Sequence, residues 1–284
     1  MSRLLLVLAA AFCVCAASAQ PPALESAPPG IEAAALSRRA AEAFAGQRTY
    51  LEAVLSLREP EGETSVAIRF RAWRERSSGR SFLRVLAPEG QAGTGLLRLP
   101  PNLWRYAPRS ASVDLVESAR LGEPWLGTDF TLADLLGPPA GLGSMQARLL
   151  GVDPASGADG MQRAYVLELR PGGAAAEGRV IAWLSLERAT PLRCDRRGAD
   201  DALVSSLRFD DVREVAGRAV PHRWTLTRPD APKRESRIEL HEIRFDPAFD
   251  DAIFTTRQLL QSGGALAAGA AADARLGAPG GSPP

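Results

Sequence analysis

The residue types that most often carry acid–base or metal chemistry are scarce in this sequence. The chain has two histidines, His222 and His241, and each lies in a segment of alternating apolar and polar residues. A metal site needs ligands at short, defined spacings, which neither histidine has. We therefore interpret both as strand residues and predict no metal site.

The candidate nucleophiles lack the neighbours that would activate them. Ser144 has Leu142 and Gln146 at the positions where the nucleophile elbow of a hydrolase has glycines. Cys194 has no histidine beside it that could remove the thiol proton. Because a general base is missing, we predict that the protein is not an enzyme, and a secreted hydrolase is kept only as a third alternative.

The remaining polar motifs are typical of turns. Three pairs of aspartates are adjacent in sequence, so on a strand their carboxylates would point to opposite faces and could not share a proton. These pairs, interpreted as turn and cap residues, are Asp200 with Asp201, Asp210 with Asp211, and Asp250 with Asp251. The run Gly93-Thr94-Gly95 lacks the lysine and helix of a phosphate-binding loop, so no cofactor is predicted.

Most of the chain alternates between apolar and polar residues with a period of two. In the segment 65–74, for example, one face carries Val66, Ile68 and Phe70 while the other carries arginines. Such alternation predicts strands with one apolar face, joined by short turns containing Gly, Pro or Asp. The predicted strands are 51–57, 65–74, 81–86, 95–99, 103–107, 112–117, 146–152, 164–170, 179–187, 192–196, 203–212, 219–227 and 236–245.

A slip in the alternation near His241 predicts a β-bulge. Ile238 and Leu240 share one phase of the last strand, whereas Ile243 and Phe245 share the other. One extra residue in the strand restores the apolar face to the same side of the sheet.

Few helical segments are available to cover so many strands. Helical spacing is found at 31–44, and short helices are predicted at 131–136 and 249–260. A wide antiparallel sheet twists and curls, and one covered by few helices tends to leave interior space. The expected fold is therefore mainly β with a few helices (α+β), and the interior is either a filled core or a hydrophobic ligand cavity.

Both ends of the chain differ from this central body. Arg3, the apolar run that follows it and Ala17-Ser18-Ala19 form a secretory signal pattern, so cleavage after Ala19 and export to the periplasm are predicted, with an N-terminal anchor as the alternative. Residues 20–30 are rich in Pro and predicted to be a linker, and residues 262–284 to be a disordered Gly/Ala/Pro tail. The folded domain is expected at 31–261.

Charge excludes one class of partner. The chain has 34 basic and 33 acidic residues, and removal of residues 1–19 makes the two counts equal. A protein without a basic excess has no electrostatic attraction for nucleic acid, so no nucleic-acid partner is predicted. As a separate expectation, the protein is a monomer. Cleavage would also leave Cys194 as the single thiol, which excludes an internal disulfide.

The segment 88–136 has a pattern that is similar to a known family. It runs from a proline through a Gly-Thr-Gly strand and "LWRYAP" to "WLGTDFTLADL". The residues that carry the pattern are Pro88, Gly95, Leu96, Trp104, Tyr106, Pro108, Gly127, Thr128, Asp129, Phe130, Asp134 and Leu135. In these positions the chain resembles the outer-membrane lipoprotein-sorting protein family, relatives of the LolA and LolB lipoprotein carriers, with Thr128 in place of the family's usual serine.

Local physical roles can be assigned to some of these residues. Asp129 is predicted to cap the helix 131–136, with Phe130 as its apolar anchor. Trp104 and Tyr106 share a strand phase and so face the same side, either as core residues or as cavity wall.

The resemblance implies an incomplete antiparallel barrel, or half-barrel, closed by helices, with a LolA-like hydrophobic cavity for lipid or lipoprotein acyl chains. It also implies a non-catalytic carrier or chaperone in lipoprotein transport, working beside an inner-membrane transporter of the resistance-nodulation-division (RND) type. The alternative is a periplasmic sensor on the same scaffold that binds lipid or an envelope protein. The candidate cavity-wall residues are Val66, Ile68, Phe70, Trp104, Tyr106 and Phe130.

Overall fold

A computed structural model describes residues 23–60, 62–156, 162–172 and 178–261. The signal peptide expected at 1–19 and the tail expected at 262–284 lie outside these described residues. The strands are β1 (Arg48–Arg58), β2 (Thr64–Glu75), β3 (Arg80–Ala87), β4 (Gly95–Leu99), β5 (Asn102–Ala107), β6 (Ser112–Leu115), β7 (Gln146–Asp153), β8 (Ala164–Arg170), β9 (Arg179–Ser185), β10 (Pro191–Arg197), β11 (Leu203–Val215), β12 (Arg218–Arg228) and β13 (Ala231–Phe245). The α-helices are α1 (Ala33–Glu42), α2 (Leu132–Leu136) and α3 (Thr256–Leu260).

All thirteen strands form one antiparallel sheet, in the order β6-β5-β4-β3-β2-β1-β13-β12-β11-β10-β9-β8-β7. Strands β1 to β6 form one meander and β7 to β13 another, and the pairing of β1 with β13 joins them in the middle. The sheet does not close, because β6 and β7 are its two edges. The predicted fold, mainly β in an incomplete barrel with a few helices, is confirmed.

The predicted β-bulge lies at His241. Glu52 of β1 pairs with Glu242, while the next residue, Ala53, pairs with Leu240, so His241 has no partner across the strand pair. The extra residue keeps Leu240 and Ile243 on the same buried face.

The two faces of the sheet are buried in different ways. The inner face, defined here as the side that carries Leu51, Ala53 and Leu55 of β1, contributes to one large apolar cluster that spans both meanders. The turn that follows helix α1 packs on this face through Phe44, whose ring lies 5.5 Å from that of Phe209 and 5.1 Å from that of Trp224. Alternation thus directs one row of residues from most of the strands into a single core.

A cover segment, residues 116–145, lies over the rest of the inner face. It contains α2 and two short 3-10 helices, Ser118–Gly122 and Pro139–Gly141. Its apolar residues belong to the same cluster as the strands: Val116, Trp125, Phe130, Leu132, Leu135, Leu136, Ala140 and Leu142. The interior is therefore closed by a segment with little regular structure.

The outer face has a smaller apolar cluster under a C-terminal clasp, residues 249–260. Phe254 and Leu259 of the clasp pack against Phe82, Leu97 and other residues of β1 to β5. The single helix predicted at 249–260 is wrong in one respect, because Thr255 is extended and divides it into a 3-10 helix, Asp251–Phe254, and α3. The Thr255 hydroxyl accepts a hydrogen bond from the Gln258 amide, which caps α3.

A fully buried arginine attaches the clasp to the sheet. Arg84 of β3 has no exposed surface, and its Nη2 donates to the carbonyls of Gln258 at 2.6 Å and Leu259 at 2.8 Å. Its Nη1 donates to the Gly93 carbonyl. Burial away from any carboxylate lowers the pKa of Arg84 to about 10. A Cβ at Gly95 would lie 2.8 Å from Leu259 Cδ1, so this glycine permits the close approach.

Two further arginines attach the start of the clasp. Arg48 donates to the Phe249 carbonyl at 2.8 Å and to Asp251 Oδ1 at 2.5 Å. Arg80 lies 2.5 Å from Glu75 and 3.1 Å from the other oxygen of Asp251, and its guanidinium stacks over the Phe254 ring. The clasp is therefore held by arginines of β1 and β3, which Glu75 of β2 pairs with in turn.

The segment expected to be a linker at 20–30 is described from residue 23 onward. Glu25 forms an isolated β-bridge with Val152, with N···O distances of 2.8 and 2.9 Å. The bridge places this segment along edge strand β7, where it occupies hydrogen-bonding groups that an edge strand would otherwise expose.

We expect Arg84→Met to lower the free energy of unfolding by about 2–4 kcal/mol, because it leaves several buried carbonyls without a donor. Urea denaturation measures the loss. Arg208→Met, at an exposed position of β11, is the control and should change stability by less than about 0.5 kcal/mol. Equal stability of the Arg84 variant and the wild type would contradict the role of Arg84.

We also expect acid to loosen the clasp. The pKa of Glu75 is lowered by hydrogen bonds from Ser78 and then Arg80, and the pKa of Asp251 is lowered chiefly by its bond to Arg80. Carboxyl groups with lowered pKa values stabilise the fold above their unfolded pKa, and the contribution is lost as pH falls through the folded pKa. Corrected hydrogen exchange of residues 249–260 should therefore accelerate as the pH falls below about 5 and on through the lowered folded pKa values. The double variant Glu75→Gln, Asp251→Asn should exchange fast already at the higher pH, and pH-independent protection in the wild type would count against the idea.

Candidate ligand-binding site

The cover segment turns sharply above β2. Leu126 and Gly127 both have positive φ, 48° and 83°, and the turn is closed by hydrogen bonds from the Trp125 amide to the Phe130 carbonyl and from the Thr128 hydroxyl to the Trp125 carbonyl. The turn points the Trp125 ring at Phe70 of β2, with the ring centroids 6.4 Å apart and edge to face. This contact connects the centre of the cover segment to the inner face.

The structure brings together four of the six candidate cavity-wall residues. Ile68, Phe70 and Phe130 are buried in the inner cluster, and Val66 is half-buried against it. Trp104 and Tyr106 do share one face, as predicted, but it is the outer face, where they pack near the clasp. The structure therefore divides the six candidates between the two sides of the sheet.

The residues of the family motif have structural roles. Pro88 follows a cis peptide bond after β3. Pro108 packs next to Gly93, since a Cβ at Gly93 would lie 3.5 Å from the proline ring. Gly95 makes room for Leu259, and the Gly127 carbonyl accepts a hydrogen bond from Arg234 of β13 at 3.0 Å.

Asp129 does not cap the helix, and that prediction is wrong. Its amide donates to Ser236 Oγ at 2.8 Å, and the same hydroxyl donates to Asp129 Oδ2 at 2.8 Å. Ser236 lies on β13 and is fully buried. Asp129 thus fastens the cover segment to the middle of the sheet.

The cap of α2 is formed by Thr131 instead. Thr131 Oγ1 accepts from the Asp134 amide, and Asp134 Oδ2 accepts from the Thr131 amide at 3.0 Å, which together make a capping box. The other carboxylate oxygen of Asp134 accepts from Arg196 of β10 at 3.0 Å. The start of α2 is therefore attached to the second meander.

The end of α2 is attached to the first meander. Arg74 of β2 lies in the same strand phase as Phe70, and its Nη2 donates to the Leu135 carbonyl at 2.5 Å. Burial lowers the pKa of Arg74 to about 10, and its Nε is buried without a hydrogen-bond partner among the described residues. Gly143 closes the segment against α1, where its amide donates to Ser37 Oγ at 2.9 Å.

The histidines, the cysteine and the aspartate pairs lie in structural surroundings. His222 is buried with Nδ1 2.9 Å from the Val220 carbonyl oxygen, and His241 is exposed. Burial raises the pKa of the Cys194 thiol. Asp250 Oδ1 accepts from the Ala252 amide, and Asp200 Oδ1 from the Ala202 amide, as expected of turn and cap residues. The described parts of the chain contain no group of three His, Cys, Asp or Glu residues placed to hold a metal ion.

None of the helices in the described ranges combines the length and the apolar composition needed to cross a bilayer.

We expect Ser236→Ala to loosen the cover segment without unfolding the sheet. The substitution removes the acceptor of the Asp129 amide and the donor to its carboxylate, so amides of residues 116–145 should exchange about tenfold faster, equivalent to ~1.4 kcal/mol. Hydrogen exchange followed by mass spectrometry measures the rates. Ser65→Ala is the control, since that exposed hydroxyl bonds to Glu59 on the strand surface. Acceleration spread evenly over all strands would contradict a local role.

A family model described as one of uncharacterized proteins matches residues 77–261. No curated protein matches the chain significantly.

Three solved structures have the same fold. A DUF1329 family protein from Desulfovibrio piger is 22% identical with a TM-score of 0.68, covering 80% of this chain and 97% of that one. An outer membrane lipoprotein-sorting protein domain from Vibrio parahaemolyticus is 17% identical with a TM-score of 0.69, covering 81% and 98%. A LolA superfamily protein from Nitrosomonas europaea is 16% identical with a TM-score of 0.68, covering 80% and 99%.

Proposed function

Because the chain belongs to the family of uncharacterized proteins whose model it matches over residues 77–261 and has the fold of lipoprotein-sorting and LolA superfamily proteins, we propose that it is a periplasmic, non-catalytic carrier of lipid or lipoprotein acyl chains. The single observation that supports this most is the inner face, an apolar surface that spans both meanders and that, within the described residues, is covered by a single segment and helix α1 and by no second sheet. An acyl chain placed between this face and the cover segment would be hidden from water.

The physical task matches such a site. An acyl chain in water loses about 0.8 kcal/mol per methylene compared with an apolar environment, so a carrier needs area more than polar anchors. The inner face offers Ile68, Phe70 and Leu83 from one meander and Leu167 and Leu207 from the other. Val66 and Phe130 would also contact the chain, whereas Trp104 and Tyr106, on the outer face, would not.

Entry would require movement of the cover segment. Beside its apolar contacts with the inner cluster, the segment is attached to the sheet by a small number of polar contacts. These run from Asp129 to Ser236, from Asp134 to Arg196, from Leu135 to Arg74 and from Gly127 to Arg234. Segments held by few contacts and short helices open at lower free energy than strands in a sheet. The cover segment therefore acts as a lid in this proposal.

The predicted signal peptide supports a periplasmic location. The pattern in residues 1–19 predicts a cleaved signal peptide, and a carrier in the periplasm would exchange cargo with membranes or with an RND-type transporter in the inner membrane.

Native mass spectrometry of protein purified from periplasm tests the carrier directly. We expect co-purifying lipid, and uptake of a fluorescent fatty acid by the delipidated protein. A protein that is consistently free of lipid and also fails to take up the fatty acid would overturn the proposal.

A disulfide lock tests the lid. In the variant Asp129→Cys, Ser236→Cys the two sulfurs would take the positions of Asp129 Cγ and Ser236 Oγ, which belong to side chains in direct hydrogen-bond contact through Asp129 Oδ2 at 2.8 Å. We expect the oxidised variant to exclude the fluorescent fatty acid and the reduced variant to bind it. Oxidised wild type, whose one thiol among the described residues is buried, is the control. Equal binding by oxidised and reduced variant would show that acyl chains enter without movement of this segment.

A further inference from the structure

A basic pocket lies at one end of the inner face. It has a volume of about 410 Å³ and is formed where the end of α1, the β2–β3 turn and the end of the cover segment meet. This volume is within the range of pockets that bind small molecules. The pocket therefore has room for a group of the size of a lipid headgroup.

Arginines dominate its polar side. Arg38, Arg74, Arg76 and Arg98 line the pocket, and none of them has a carboxylate within ion-pair distance among the described residues. Glu75 also lines it, but that carboxylate is bound to Arg48 and Arg80. Glu42 is the other acidic residue of the lining, so the pocket carries a positive excess.

One of these arginines is held in place before any ligand binds. Arg74 donates to the Leu135 carbonyl, and its buried Nε has no partner within the described parts of the chain. A guanidinium in such surroundings gains from an anionic acceptor more than one in water does, because the local dielectric is low. Arg76 is similarly fixed by its bond to the Ala45 carbonyl at 2.6 Å.

The opposite side of the pocket is apolar and continuous with the core. Ala41, Leu136 and Leu142 line the pocket and also belong to the inner cluster. A ligand in this pocket would thus contact guanidinium groups on one side and the start of the proposed acyl site on the other. That combination suits an amphipathic molecule with an anionic head.

We propose that this pocket binds the phosphate group of an anionic lipid headgroup, while the acyl chain lies along the inner face. The inference rests on the proposed carrier function and specifies which lipids the carrier would select. Guanidinium groups form paired hydrogen bonds with phosphate oxygens, which gives selectivity over headgroups without phosphate. The positive excess of the lining repels the cation of a zwitterionic headgroup such as phosphocholine, so a net anionic headgroup is preferred.

The test compares three single-chain lipids of equal acyl length: lysophosphatidylglycerol, lysophosphatidylcholine and monoacylglycerol. Binding to the full-length protein is measured by displacement of the fluorescent fatty acid. We expect lysophosphatidylglycerol to bind about tenfold more tightly than the other two, equivalent to ~1.4 kcal/mol. Inorganic phosphate at millimolar concentration should weaken the binding of lysophosphatidylglycerol and leave the binding of monoacylglycerol unchanged.

Variants locate the effect. Arg38→Gln combined with Arg98→Gln removes two exposed guanidinium groups from the pocket, and we expect it to abolish the preference while monoacylglycerol binding stays the same. Arg39→Gln combined with Arg208→Gln makes the same charge change at exposed positions outside the pocket and should keep the preference.

The two proposals fail in different ways. If none of the three lipids binds, the carrier function is wrong. If all three bind equally, or if the control variant loses the preference as fully as the pocket variant, the carrier function stands and the headgroup site is wrong. If phosphate alone protects the pocket arginines from modification by phenylglyoxal while no lipid binds, the pocket binds free phosphate, and the proposal that it binds a lipid headgroup is overturned.

Discussion

The fold depends on the pairing of β1 with β13. This pairing places the two meanders side by side and leaves β6 and β7, which are consecutive in the chain, at opposite edges of the sheet. Twelve strand spacings of about 4.8 Å separate those edges along the sheet. The connection from β6 to β7 must therefore pass across the inner face, and residues 116–145 are that connection. The cover of the apolar face is a consequence of strand order.

Arginine performs one recurring task in this molecule, which is to satisfy carbonyl groups where short elements end. Arg84 does so for α3 and Arg74 for α2, and Arg48 donates to the carbonyl of Phe249 at the start of the clasp. Carbonyls at helix ends have no partner within the helix, and a buried one without a donor is destabilising. These contacts let segments of only five helical residues pack on the sheet. They also explain how an apolar surface this large can be covered with so little regular structure.

Much of the fold could be predicted from the sequence because it depends on local alternation. Every predicted strand overlaps a strand of the structure, and the bulge at His241 follows from a change of phase within one strand. Alternation does not specify which face of one strand adjoins which face of the next, since that depends on turn geometry and register. Ile68 and Trp104 each lie on an apolar row, yet the rows face opposite sides. The cap of α2 was misassigned because Asp129 and Thr131 are both suitable cap residues, and only the position of Ser236, over one hundred residues away, distinguishes them. The basic pocket could not be predicted, since Arg38, Arg74 and Arg98 come from different elements.

The central position of the β1–β13 pair also determines when the chain can fold. Each meander consists of contacts between sequence neighbours and can form early, but the strand pair that unites them joins residue 49 to residue 245. Contacts so distant in sequence form slowly because a long loop must close first. Until β13 is available, β1 has an unpaired edge in the middle of the future sheet. A polypeptide that ends before residue 231 therefore contains every strand of the first meander, yet the β1 edge of that meander lacks its partner strand β13.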